Sequence, residues 1–225
     1  MRIAIIGGAG FIGTRLSKRL DSTNYNYDVY DKDTSICKKA LYLDIEDPKT
    51  LSQIDGNDII INLAAEHKDD IQPLSRYYDV NVQGSKNICD AARKHAINKI
   101  VFTSSVAIYG FATPDTDESG TPNYFNEYGR TKYLAEEVFK DWQSEDPENR
   151  TLVILRPTVV FGEGNRGNVY NLLNQIAKGM FVMFGNGMNK KSMAYVENVA
   201  AFLEYSLDFS SGVHIYNYID KPDFD

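Results

Sequence analysis

At 225 residues the chain suffices for one sizeable α/β core, with or without a small appended lobe, and is too short for several independent domains. Its composition, 43% hydrophobic and 24% charged, is that of a folded globular protein. A net charge of −7, a pI near 5.0 and no basic stripe argue against a nucleic-acid partner, because that affinity needs clustered Lys and Arg.

In chain order, strands are expected near Arg2–Ile6, Asp28–Tyr30, Lys39–Leu43, Ile59–Leu63, Lys99–Thr103 and Leu152–Arg156. Several are almost continuously apolar, as burial on both faces of a parallel sheet requires. Helical spacing is clearest in Phe11–Leu20, Val82–His95, Tyr128–Gln143 and Val169–Ala177. The alternation predicts a Rossmann-like, doubly wound α/β sheet. A dinucleotide-binding domain is expected over 1–162. After Gly162 the pattern loosens into Gly- and Asn-rich turns around one helix, so 163–225 is expected to form a partial substrate lobe interleaved with the end of the sheet. Cys37 and Cys89 stand far apart and outside any CxxC spacing, which suits reduced thiols, a cytoplasmic location and no metal site. No uncharged run approaches transmembrane length, and the N-terminus is too glycine-rich for a signal peptide.

Directly after the first strand, Gly7, Gly10 and Gly13 recur at three-residue intervals and open a helix. That context points to a pyrophosphate cradle: a tight turn at Gly7, close backbone approach at Gly10, and helix–strand packing at Gly13. Helix N-terminal amides then hold the anion. Asp31 closes the second strand, where an acid accepts both ribose hydroxyls and repels a 2′-phosphate. This favours NAD, although the adjacent Lys32 leaves NADP open. Asp44 and Ile45 are placed to flank an adenine, with a helix-capping role as the other reading of Asp44.

Tyr128 and Lys132 lie four apart on a predicted helix and so face one way. A tyrosine with pKa about 10 needs a neighbouring ammonium and a bound nicotinamide cation to act as a base. Ser105, at the carboxyl edge of the fifth strand, can share the proton.

GGAGFIG, the NLAA run at Asn62–Ala65, TSSVAIYG, YGRTK and RPTVVFGEG occur in the order found in the extended short-chain dehydrogenase/reductases. The chain resembles their NAD-dependent epimerase/dehydratase branch over nearly its whole length. The resemblance implies that Tyr128 is the catalytic base, Lys132 its partner and Ser105 the third member of the triad. Asn81 resembles the asparagine that supports the active-site helix and is grouped with the cofactor site. The implied cofactor contacts extend to Phe11, Ile12, Leu63, Ala64, Ala65 and Pro157. Ser105–Gly110 contains no acid pair, which disfavours a dehydratase. His95 and His214 are expected to be structural or solvent-facing, whereas Glu66 and His67 follow the fourth strand and are candidates for substrate contact.

AAEHKDD, YYDVNVQG, GNRGNVYNLL, KSMAYV and YNYIDKPD resemble the epimerases of bacterial surface-polysaccharide (O-antigen) assembly, some of which act on polyprenyl-diphosphate-linked N-acetylhexosamines. That likeness implies a sugar 4-epimerase for a diphosphate-linked substrate, working through a 4-keto sugar. Arg166, Lys190 and Lys191 become candidate diphosphate contacts. It also implies a homodimer through Val82–His95 and Tyr128–Gln143, and a position in the cytoplasm or at the inner membrane's surface. A sugar reductase or dehydrogenase, or a dinucleotide sensor on the same fold, remain alternatives. Proteins of this kind continue beyond a strand like Val213–Ile219, so the lobe is expected to be truncated, binding NAD yet epimerising poorly.

Overall fold

The computed structural model describes residues 1–68, 71–165, 167–182 and 191–221. Six strands form where the apolar runs stand: β1 (Arg2–Ile6), β2 (Asn26–Asp31), β3 (Ala40–Tyr42), β4 (Ile59–Asn62), β5 (Lys99–Thr103) and β6 (Thr151–Pro157). Two short strands follow, β7 (Val159–Phe161) and β8 (Met193–Tyr195), and β9 (Gly212–Tyr218) closes the set. The main sheet is wholly parallel with order β3-β2-β1-β4-β5-β6-β9. β7 and β8 pair in a separate small sheet.

The helices are α1 (Phe11–Leu20), the single turn α2 (Ser75–Tyr77), α3 (Gly84–Lys94), α4 (Glu127–Ser144), α5 (Asn168–Ala177) and α6 (Val196–Tyr205). Between α2 and α3 the chain makes a π-helical turn over Tyr78–Gln83, a rare geometry that concentrates at functional sites. One apolar layer joins α3 and α4 to the sheet through residues such as Ile88, Phe139 and Trp142. The other joins α1 and α6 through Leu16, Leu20, Val199 and Leu203. Thus α6 and β9 complete the sheet's own layers, while α5 leaves Tyr170, Leu173 and Ile176 exposed.

The strand order reverses direction between β1 and β4. Ligands of open parallel sheets bind at this switch point, beyond the carboxyl ends of the strands. The principal cleft opens there, with a volume of about 950 Å³.

Candidate active site

At the switch point Gly7, Gly10, Phe11, Ile12 and Gly13 line the cleft. Gly7 has φ +76°, and a Cβ there would lie 2.6 Å from the Ala64 backbone nitrogen, so no side chain is tolerated. No side chain caps α1 at Gly10, which leaves its first amides available to an anion.

On the β2–β3 side, Asp31, Asp44 and Ile45 line the cleft. The Asp31 carboxylate accepts the Ala9 and Asp33 amides, each at 3.0 Å, tying the glycine loop to the end of β2. Lys32 Nζ lies 2.8 Å from Asp44 and 3.1 Å from Glu46. Glu46 is also gripped by both arms of Arg76, at 2.6 and 2.8 Å. The cation that left NADP open is therefore engaged by two acids.

Leu63, Ala64, Ala65 and Pro157 line the middle of the cleft, and Glu66, His67, Ser105, Tyr128 and Lys132 its other end. Ser105 Oγ accepts the Ala107 amide at 3.1 Å, capping a short 3₁₀ turn and leaving its hydroxyl hydrogen free to be donated. α4 begins at the Asn126 cap, whose Oδ1 accepts the Gly129 amide at 2.8 Å. That cap sets the first turn, carrying Tyr128, against the Ser105 turn.

Lys132 is buried, with Nζ donating to the Thr103 carbonyl at 2.6 Å and lying 4.3 Å from the centre of the Phe102 ring. Burial pushes its ammonium down to about 7, partly offset by the charge of Glu136. Glu66 accepts the amides of His67 and Lys68, at 3.1 and 3.2 Å, shaping the turn beside His67.

Two expected residues sit elsewhere. Asn81 does not line the cleft. From the π-helical turn it accepts the Glu66 amide at 2.8 Å and donates to the Glu66 carbonyl at 3.1 Å and to Thr131 Oγ1 at 3.0 Å. Its amide clamps the loop after β4 to α4, which makes it a positioning residue for the active-site helix. Lys191 is exposed and outside the cleft. Arg166 and Lys190 lie outside the described residues. His95 instead pairs with Asp55 at 3.0 Å, and His214 contacts the Ser210 carbonyl, both away from the cleft.

Sequence reasoning missed a buried network behind the site. Glu136 and Arg156 form an ion pair at 2.6 Å with both side chains almost wholly inaccessible. Ser104 Oγ donates to Glu136 at 2.5 Å. Arg156 also donates to Tyr109 Oη, which reaches Asn217 at 3.0 Å. Glu136 stands four residues beyond Lys132, so the Tyr128, Lys132, Glu136 spacing on one helix face was the available signal.

A dinucleotide fits this cleft on three observations. Gly7 supplies a cradle that a Cβ would fill, and α1 offers uncapped amides. Thr103 Oγ1, on the cleft floor, is buried with no partner among the described residues. Among those residues no cluster of His, Cys, Asp or Glu is suited to a metal.

Fold and cleft together define a nucleotide-dependent enzyme of the Rossmann type. The model of the NAD-dependent epimerase/dehydratase family matches residues 3–218, and the chain belongs to that family, with NAD as its cofactor. It is 47% identical over 225 residues to the N-acetyl-α-D-glucosaminyl-diphospho-ditrans,octacis-undecaprenol 4-epimerase of Escherichia coli O157:H7, covering 98% of this chain and 68% of that enzyme. It is 32% identical over 223 residues to a putative UDP-glucose 4-epimerase of Methanocaldococcus jannaschii, covering 88% and 70% respectively. The fold matches a UDP-glucose 4-epimerase of Thermotoga maritima solved with UDP-glucose, with TM-score 0.86 and 24% identity over 100% of this chain and 78% of that one. It also matches the Thermus thermophilus UDP-glucose 4-epimerase solved with NAD, with TM-score 0.84 and 23% identity, covering 100% and 79%. At these identities the structures establish the fold.

Proposed function

We propose that the protein is an NAD-dependent 4-epimerase of a diphosphate-linked N-acetylhexosamine, carried on polyprenol as in the Escherichia coli relative. The observation that carries this reading is the convergence of Tyr128, Lys132 and Ser105 at one end of a dinucleotide-shaped cleft with no acid pair beside Ser105.

When bound, NAD supplies the chemistry of taking a hydride from carbon 4 of the sugar and returning it to the opposite face. Tyr128 Oη accepts the proton of the 4-hydroxyl as the 4-keto sugar forms, and gives it back once the ring has turned. The Lys132 ammonium favours the phenolate by its charge, and its anchor on the Thr103 carbonyl fixes where that charge sits. Ser105 donates a hydrogen bond to the same sugar oxygen. Asn81 keeps α4 and the loop bearing Glu66 and His67 in register. Asp31 would hold the adenosine ribose, and Asp44 and Ile45 would flank the base. Lys191 and Arg166 remain proposed diphosphate contacts.

Among the described residues no helix is long and apolar enough to cross a membrane. A polyprenyl carrier then implies work at the cytoplasmic face of the inner membrane, in O-antigen assembly. α3 and α4 pack side by side and supply the proposed homodimer face, with monomer-only light scattering at high concentration as the contrary result.

The test is incubation with polyprenyl-linked and nucleotide-linked N-acetylglucosamine, without added reduced cofactor, followed by separation of epimers. Formation of N-acetylgalactosamine supports the reading. Turnover only with stoichiometric consumption of a reduced cofactor would instead make the protein a reductase.

A further inference from the structure

The loop from Gly110 to Phe125 takes no part in proton transfer, yet it carries two phenylalanines in water. Phe111 is 86% and Phe125 58% exposed, and their rings stack with centroids 4.9 Å apart and 27° between planes. The loop's neck fixes their place. Asn123 donates its amide to the Ile108 carbonyl at 2.9 Å. Gly110 has φ +61°, and a Cβ there would lie 2.0 Å from the Asn123 carbonyl oxygen, so only glycine lets the two arms meet. Phe111 leaves one arm and Phe125 the other, which brings the rings together across the neck.

The loop is also tied down farther out. Glu118 Oε1 accepts the Asn217 amide at 2.6 Å, and the Thr116 carbonyl accepts Asn217 Nδ2 at 3.3 Å. The loop that carries the pair is thus anchored to β9 through Asn217.

Phe125 and Gly110 line the cleft together with Ser105 and Tyr128. Phe125 stands three residues ahead of the proton acceptor. Exposed aromatic area beside a reacting centre is uncompensated unless a ligand covers it. The nearest part of any substrate reacting at Tyr128 is the sugar ring, whose C–H face is apolar.

Resting on the epimerase reading, we propose that Phe125, with Phe111 stacked on it, is the sugar wall of the cleft and takes the apolar C–H face of a hexose ring. A flat wall without hydrogen-bonding groups holds the ring by area and not by direction. It therefore permits the ring to turn between the two proton transfers, while the diphosphate stays anchored elsewhere.

The test uses the whole chain with Phe125→Ala, Phe111→Ala and Phe125→Trp. Calorimetry in the presence of NAD measures the affinity for UDP-N-acetylglucosamine and for N-acetylglucosaminyl diphosphate on a short isoprenol, beside KM, kcat, NAD affinity and thermal midpoint. Either alanine substitution is expected to weaken sugar binding and raise KM about tenfold. NAD affinity and thermal midpoint stay unchanged, and tryptophan at 125 restores binding. Alanine variants that bind both sugars as the wild type does would overturn the wall, as would a wild type that binds neither. A wild type that binds sugar without epimerising it refutes the epimerase reading while the titrations still decide the wall.

Discussion

The two ends of the cleft are built on different principles. The phosphate end consists of backbone: a positive-φ glycine pressed against Ala64, uncapped helix amides, and one carboxylate holding the loop to β2. The reacting end consists of side chains delivered from four separate segments and braced from behind by a buried ion pair. A cofactor of constant shape can be met by backbone, whereas a sugar that must turn needs adjustable walls. Mutation should therefore separate binding of the cofactor from turnover of the sugar.

The largest separation is expected at Tyr128. Tyr128→Phe removes the proton acceptor and keeps the ring, so epimerisation should fall about a thousandfold or more while calorimetry shows NAD affinity nearly intact. Turnover close to wild type would erase the distinction between the two ends.

Glu136→Ala tests the brace. It leaves Arg156 buried and unpaired, a loss of about 3–5 kcal/mol in chemical denaturation. Replacing both partners with apolar residues should cost less than the single change.

Lys132 links stability to chemistry. Its folded pKa lies at about 7 against 10.5 for the ordinary side chain, because burial disfavours the charge. Below pH 7 the lysine is protonated in both states and the burial penalty is complete. As pH rises from 7 to 10.5 the folded form sheds its proton first, so the penalty shrinks by about 1.4 kcal/mol per pH unit. Lys132→Met removes the group, so its stability relative to wild type should be most favourable below pH 7 and decline through that window. A pH-independent difference would show that Lys132 is not desolvated as described. The variant should also bind NAD more weakly, because Lys132 lines the cofactor cleft.

The smallest effect belongs to the adenosine side. Asp31→Ala should narrow the preference for NAD over NADP by about tenfold, since it removes a charge repelling a 2′-phosphate. Tighter binding of NADP than NAD by the wild type would contradict the assignment.

The same division governs what the sequence discloses. β1, α1 and β5 stand where their apolar runs and glycines predict, and α4 differs by one residue at each end. Backbone sites are legible because glycine is required at fixed spacing. Asn26 and Tyr27 extend β2 ahead of its expected start at Asp28, visible only once their pairing with Arg2 and Ile3 is known. β7 and β8 are three residues each and pair across a long separation, which local pattern does not encode. A second helix after Gly162, α6, was also missed, its apolar residues being diluted among Glu197, Asn198 and Glu204. The π-helical turn that aims Asn81 has no residue signature of its own. The Phe111–Phe125 stack exists only because the loop closes at Gly110 and Asn123.

In the proposed mechanism one sugar molecule gives up and regains the same hydrogen at carbon 4 while Tyr128 handles the proton. The direct measurement is epimerisation of N-acetylglucosaminyl diphosphate substrate deuterated at carbon 4, with the product examined by mass spectrometry. The N-acetylgalactosamine product should retain deuterium at carbon 4, with no exchange into water. Loss of that deuterium to solvent, with epimer still formed, would contradict it.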